Sequence, residues 1–259
     1  MPRIEAAVRS HPGYIRENNE DNFYMRGVYM RAEERNVGGL FKGVYEDKRQ
    51  MYAVCDGMGG LDQGELASLL AVSNMDRLLD TGFRAIPNAL RKYIDEISSD
   101  LQYQCSGAHS SGCTLAAVYL DGALAVTANL GDSRVYFKRG AIPLVQVTED
   151  HSQAVWYLKQ GILTPQEAET HRSRNTLRRY VGAHSQEGRT PDISKATRIK
   201  RGDVFLICSD GLSNMMSASE MDGEISKGQG CADICRALTA LALKRGADDN
   251  ITVMTLRIC

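Results

Sequence analysis

Continuous apolar runs and stretches of helical spacing divide the chain into short segments. Residues 51–55 and Val204–Cys208 are apolar throughout, the pattern of a strand buried on both faces; Asp56-Gly57 follows the first at once, and Asp210-Gly211 follows the second after one serine. Strand-like runs also cover residues 23–30, 193–199 and Ile251–Ile258, and residues 4–9 read as an edge strand. Residues 113–140 break into strands at Asp121-Gly122 and at Gly131-Asp132-Ser133, and another run follows at 141–147; the density of turns predicts an antiparallel meander. Helical spacing governs residues 64–80, through Ala67, Ala71, Met75 and Leu79, and residues 85–103, through Ile86, Leu90, Ile94, Ile97 and Leu101. Capping boxes at Thr164-Pro165-Gln166-Glu167 and Ser217-Ala218-Ser219-Glu220 mark two helix starts, and residues 232–244 form an amphipathic helix. Residues 26–50 are charged and glycine-bearing, two strand ends joined by an exposed excursion.

Strands that are apolar on both faces need cover on both faces, and there are too many for one open sheet of modest size. Two stacked sheets with helices outside satisfy both conditions. That arrangement collects acidic residues. Glu20 and Asp21 precede the 23–30 run, and antiparallel pairing with residues 51–55 would set them beside Asp56. Asp249 precedes the final strand, which could pair with the strand that leads to Asp210. Asp132 follows another apolar run, so one edge would carry Glu20, Asp21, Asp56, Asp132, Asp210 and Asp249 without as many basic neighbours in sequence. A single Asp-Gly pair is more often a turn than a ligand. The set, however, needs a counter-ion, and oxygen donors with glycine-freed carbonyls suit magnesium or manganese.

Composition narrows the class. At 259 residues, 43% hydrophobic and 24% charged, the chain is that of a globular protein and is read as one domain. A net charge of −1 gives no general attraction to nucleic acid or to acidic membranes. The 7 cysteines follow no disulfide rhythm, and Cys231 and Cys235, one helical turn apart, lack a second pair at zinc spacing. No secretion-signal or membrane-spanning run of apolar residues occurs, so the expectation is a cytoplasmic monomer. The basic stretch 171–180 reads as a surface flap whose arginines are either a solvated face or an attractor for anionic substrate.

RENNED at 16–21, DGMGG at 56–60, SGCTL at 111–115, GDSRVY at 131–136, TEDHS at 148–152, SDGL at 209–212 and DNITV at 249–253 stand in this order. Together they resemble the motifs of the metal-dependent serine/threonine phosphatases of the protein phosphatase 2C type (PPM family), bacterial branch. The resemblance implies an α+β fold, a four-layer α-β-β-α sandwich of two mainly antiparallel sheets flanked by helices, with one catalytic domain over 1–259 and a flap at about 152–190. It implies two manganese or magnesium ions, with a third weakly held. Carried over by position, Asp56 would bridge the two ions, the Gly57 carbonyl would bind one, and Asp210 and Asp249 the other. Asp132 with Asp210 would form the third site, Glu20 and Asp21 would hold metal-bound waters, and Arg16 would grip the substrate phosphate. The implied reaction is hydrolysis of phosphoserine and phosphothreonine in proteins, the targets of a cognate kinase, by direct attack of water held between the ions.

This chain departs from the family pattern in several places. Met58 stands where eukaryotic relatives carry His, the usual proton donor to the leaving group, and His151 is expected to be structural rather than its replacement. Asn214 stands where many members have Asp, which weakens the third site; Cys113 replaces a common Thr; and the 31–50 excursion is longer than in compact bacterial members. Two other readings share the motifs: a pseudophosphatase that binds phosphoproteins without turnover, and a phosphatase of small metabolites.

Overall fold

The computed structural model describes residues 2–59, 63–104 and 111–259; Gly60 of the DGMGG motif and Cys105 lie outside the described residues. In chain order the elements are β1 (Ile4–His11), β2 (Asn22–Met25), a 3-10 turn (Ala32–Val37), β3 (Gly39–Tyr45), β4 (Arg49–Cys55), β5 (Gly57–Met58) and α1 (Gln63–Ser73). A second 3-10 turn (Met75–Leu78) leads to α2 (Ile86–Gln104), β6 (Gly112–Cys113), β7 (Leu115–Asp121), β8 (Leu124–Leu130), β9 (Arg134–Lys138) and β10 (Val145–Gln146). Then come α3 (Gln153–Lys159), α4 (Pro165–Thr170), β11 (Asp192–Ile193), β12 (Thr197–Arg198), β13 (Val204–Cys208), α5 (Asp210–Ser213), α6 (Ala218–Ile225), α7 (Cys231–Lys244) and β14 (Ile251–Ile258).

Among the described residues two 6-stranded sheets form, one in the order β10-β9-β13-β14-β1-β3, the other β11-β8-β7-β4-β2 with β12 also on β8. Strand alternation builds the layers. In β4, Tyr52 and Val54 face the other sheet, while Met51, Ala53 and Cys55 pack under α1 and α2. In β13, Phe205 and Ile207 enter the same inter-sheet core, and Val204, Leu206 and Cys208 pack with residues of α5, α6 and α7. Three apolar clusters thus separate four layers, helix, sheet, sheet, helix, as expected. Both capping boxes form, Thr164 accepting from the Glu167 N–H and Ser217 from the Glu220 N–H.

Several local expectations are corrected. β1 is not an edge strand: it pairs with β14 on one side and with β3 on the other, because the 31–50 excursion supplies β3. The meander is broken after β8. The chain leaves its sheet through Gly131, at φ 115, where a Cβ would lie 2.7 Å from Thr114, and β9 joins the other sheet beside β13. The 23–30 run stops at Met25, since Arg26 and Gly27 (φ 50 and 82) turn the chain back so that Val28 pairs with Met25. The runs at 141–147 and 193–199 shrink to the two-residue strands β10, β11 and β12, and the 64–80 helix ends at Ser73.

Candidate active site

Strand register delivers the acidic residues to one edge. Asn22 pairs with Cys55 across β2 and β4, so Asp21 and Asp56 are the next residues on adjoining strand ends. Cys208 pairs with Val253 across β13 and β14, which brings the turns carrying Asp210 and Asp249 together. Asp132 sits where the chain crosses between sheets. Arg16, Glu20, Asp56, Gly57, Asp132, Asp210 and Asp249 all line one cleft of about 250 Å³, with Met58, Thr114, Asn175 and Leu177. Asp21, fully buried, stands outside this wall. A larger cleft of about 730 Å³, running past α3, α4 and α5, shares Asp132, Asn175 and Asp210.

The carboxyls are held against their own charge. Asp56 is pushed well above the usual carboxylate range by burial first, then by Asp21, Asp210, Asp132 and Asp249. Asp132 is raised in the same way by burial, Asp210 and Asp150, and Asp210 by burial and Asp249. Burial also raises Asp21 to about 7, partly offset by hydrogen bonds from Ser209 and Thr252. Asp56 and Asp210 are within hydrogen-bonding reach of each other, so a shared proton or a cation relieves their repulsion.

A second set of polar groups fixes this edge from behind. The Asp56 N–H donates to Thr114 Oγ1 (2.9 Å), the Thr114 N–H to the Asp56 carbonyl (2.8 Å), and Thr114 Oγ1 meets Ser133 Oγ at 2.7 Å. Asn250 accepts the Glu20 N–H (2.8 Å) and donates to the carbonyls of Pro12 (2.8 Å) and Asn18 (3.0 Å). Ser209 donates to Asp21 Oδ2 (2.8 Å) and accepts the Thr252 N–H (2.9 Å). Sequence reasoning gave no role to Thr114, Ser133, Ser209 or Asn250. Their only signal was membership of the motifs that carry the acids.

The donors suit a hard dication. They are all oxygen, they repel one another, and Asp21 Oδ1 and Asp210 Oδ1 are buried with no hydrogen-bond partner. Among the described residues no three carboxylate, imidazole or thiol side chains yet close on one point. Asp249 is turned to other partners: its Oδ2 takes an N–H of Arg16 (2.9 Å) and its Oδ1 takes the Asn250 N–H (2.9 Å). Asn214 donates to Asp210 Oδ2 (3.0 Å), occupying one oxygen that the third site would use.

His151 lies outside both clefts. Its Nδ1 accepts the Gly131 N–H (3.1 Å), its Nε2 meets Asp192 (3.1 Å), and burial lowers its pKa. Of the flap arginines, Arg178 stacks on Trp156 at 4.5 Å within the flap, and Arg179 holds the Thr190 carbonyl and Asp192 of β11, so both are engaged. Arg174 lines the larger cleft. Cys113 is buried, and its Sγ lies 3.5 Å from the Ala67 carbonyl.

A four-layer sandwich with an all-oxygen cluster at one sheet edge describes a class of metal-dependent hydrolase. The protein phosphatase 2C model matches residues 41–250, and the chain belongs to this family. It is 30% identical to the serine/threonine phosphatase stp of Listeria monocytogenes, across 97% of this chain and 94% of that protein. It is 33% identical to the protein phosphatase PhpP of Streptococcus pneumoniae, across 96% of each. A crystal structure of the catalytic domain of PstP in complex with 2 manganese ions superimposes with a TM-score of 0.78 at 27% identity, over 100% of this chain and 99% of that one.

Proposed function

We propose that this chain is a metal-dependent phosphatase of phosphoserine and phosphothreonine in proteins, the products of a cognate kinase. It works as one domain with a flap at about 152–190. The observation that carries this reading is the gathering of Asp56, Asp132, Asp210 and Asp249 with Arg16 around one cleft. Asp56, the Gly57 carbonyl, Asp210 and Asp249 are the oxygens that would hold two manganese or magnesium ions, with Asp132 and Asp210 for a weaker third. When bound, the ions supply a water acidic enough to attack phosphorus near neutral pH and positive charge for the phosphoryl oxygens.

The remaining roles belong to the protein. Glu20 from the cleft wall, and Asp21 through its unpartnered Oδ1, order water. Arg16, half exposed at the rim, offers a planar fork to two phosphate oxygens, and until substrate arrives it is held by Asp249. Met58 has no proton to give and both ring nitrogens of His151 are engaged, so the leaving alkoxide takes its proton from water in the cleft. A cytoplasmic monomer is the working form of this proposal; among the described residues no helix is long and apolar enough to cross a membrane.

The test is hydrolysis of a phosphothreonine peptide with manganese, with excess chelator, and by Asp210→Asn. Turnover is expected only in the first. Turnover that survives chelation or the mutation would sink the reading, and a preference for sugar phosphates over peptides would move it to small metabolites.

A further inference from the structure

Three large apolar side chains stand in solvent on the Arg16 loop and on the 3-10 turn hydrogen-bonded to it: Tyr14 at 65% exposure, Ile15 at 70% and Val37 at 84%. Tyr14 and Ile15 immediately precede Arg16, and Val37 ends the 3-10 turn of the excursion. None of the three has a part in the centre described above.

The backbones that carry them are pinned. Gly13, at φ 82, lies so close to the Asp249 carbonyl that a Cβ would sit 2.4 Å from it, and the Tyr14 N–H donates to the Ala247 carbonyl at 2.9 Å. The Asn250 amide holds the carbonyls of Pro12 and Asn18, one at each end of the loop. Asn36 joins this loop to the excursion: its Oδ1 accepts the Asn19 N–H (3.0 Å) and its Nδ2 donates to Asn18 Oδ1 (3.3 Å). Arg35, next to it, is buried and anchors the turn through the Glu65 carbonyl (2.7 Å). An apolar side chain on a fixed backbone loses little freedom when a ligand covers it, so these three are preorganised for contact. Their surroundings are acidic: Glu17, Glu33 and Glu34 are exposed on the same two segments against Arg31 and Arg16, and Arg16 is already engaged by Asp249.

We infer that Tyr14, Ile15 and Val37 form a docking surface for the polypeptide that flanks the phosphorylated residue, selecting substrates with apolar and basic, not acidic, neighbours. This rests on the phosphatase reading and adds a substrate preference to it. Tyr14 and Ile15 adjoin Arg16 in the chain, so a polypeptide whose phosphate lies on that guanidinium can lay one flank across this surface. The phosphate itself is read by Arg16 and the metals, whereas the flank is read by area and by charge.

The test uses the manganese-loaded protein and peptides in which a non-hydrolysable phosphonate replaces the threonine phosphate. One peptide has leucine and lysine around it, the other aspartate. The wild type is expected to bind the first about tenfold tighter, as burial of one or two apolar side chains allows. In Tyr14→Ser/Ile15→Ser/Val37→Ser that preference is expected to fall to within about twofold. Turnover of p-nitrophenyl phosphate, too small to reach the surface, and the melting temperature stay unchanged, and Ile15→Ser alone gives an intermediate preference. A triple variant that keeps the full preference, or a wild type that shows none, would overturn the inference. Failure of the wild type to hydrolyse p-nitrophenyl phosphate with manganese sinks the phosphatase reading instead, and the binding comparison still decides the surface.

Discussion

Asp210 shows how a single side chain can oppose the fold while serving the site. Its half-buried carboxyl faces Asp56 and Asp249, and its buried Oδ1 has no partner. Asp210→Asn puts a neutral group of the same shape there, one that needs no proton taken up on folding. In chelator it should therefore melt a few degrees higher than wild type, as a gain of about 1 kcal/mol would produce in a chain of this size, while metal-dependent turnover falls about 10³-fold or more. Parallel melting and activity measurements check both; a variant that melts lower in chelator would show that the acid is stabilising as it stands. Arg16 gives the opposite separation. Its pair with Asp249 is more than one-third exposed on both sides, so Arg16→Ala should leave the melting temperature unchanged. The KM for a phosphopeptide should rise about tenfold or more, and Arg16→Lys should recover only part of it, because a point charge lacks the fork. At this scale the acids were legible because each stands at the end or start of an apolar strand. Thr114, Ser209 and Asn250 were not, since their partners lie far away in sequence: 58 residues separate Thr114 from Asp56, and 188 separate Ser209 from Asp21.

The two Asp-Gly turns owe their glycines to the same cause, backbone passing over backbone. A Cβ on Gly211 would lie 2.0 Å from the Asn250 carbonyl, and one on Gly57 would lie 2.1 Å from the Gly64 carbonyl, so in each case an element must shift. Gly211→Ala should push α5 off the start of β14, destabilise the protein by about 2–4 kcal/mol and weaken manganese binding, because Asp210 and Asp249 move apart. Denaturant titration and calorimetry with manganese test the two effects; normal stability with normal metal affinity would mean that the close approach is relaxed in solution. The elements differ in how far the sequence exposes them. The apolar runs of β4 and β13 state that both faces are covered, and the capping boxes at Thr164 and Ser217 mark their helices correctly. No periodicity states which strand is the neighbour. For that reason β1 looked like an edge until β3 covered it, and β9 looked like part of a meander although it pairs in the other sheet.

Across the whole molecule the acidic edge makes stability depend on pH and on metal together. Asp21 rises from an ordinary 3.8 to about 7, and Asp56, Asp132 and Asp210 are also raised. Above pH 3.8 the unfolded chain has released these protons while the folded chain keeps them. The stability they contribute is thus complete at low pH and is lost as pH rises through about 7 and beyond. His11 and His151 act in the other sense, since burial lowers both from 6.5 and the folded state binds fewer protons than the unfolded chain below about that pH. Four raised carboxyls stand against two lowered histidines, so the carboxyls set the sign of the slope. In chelator the melting temperature is expected to fall as pH rises from about 4 to about 7, the interval over which folded Asp21 keeps a proton that the unfolded chain has lost. Manganese replaces the protons, so its stabilisation grows over the same interval and reaches about 2.7 kcal/mol at a hundredfold excess over its Kd. Asp56→Asn should flatten the slope in chelator and abolish most of the manganese increment. A melting temperature that rises with pH in chelator would mean that these acids are already ionised and compensated within the protein, and the case for a cation at this edge would fail with it.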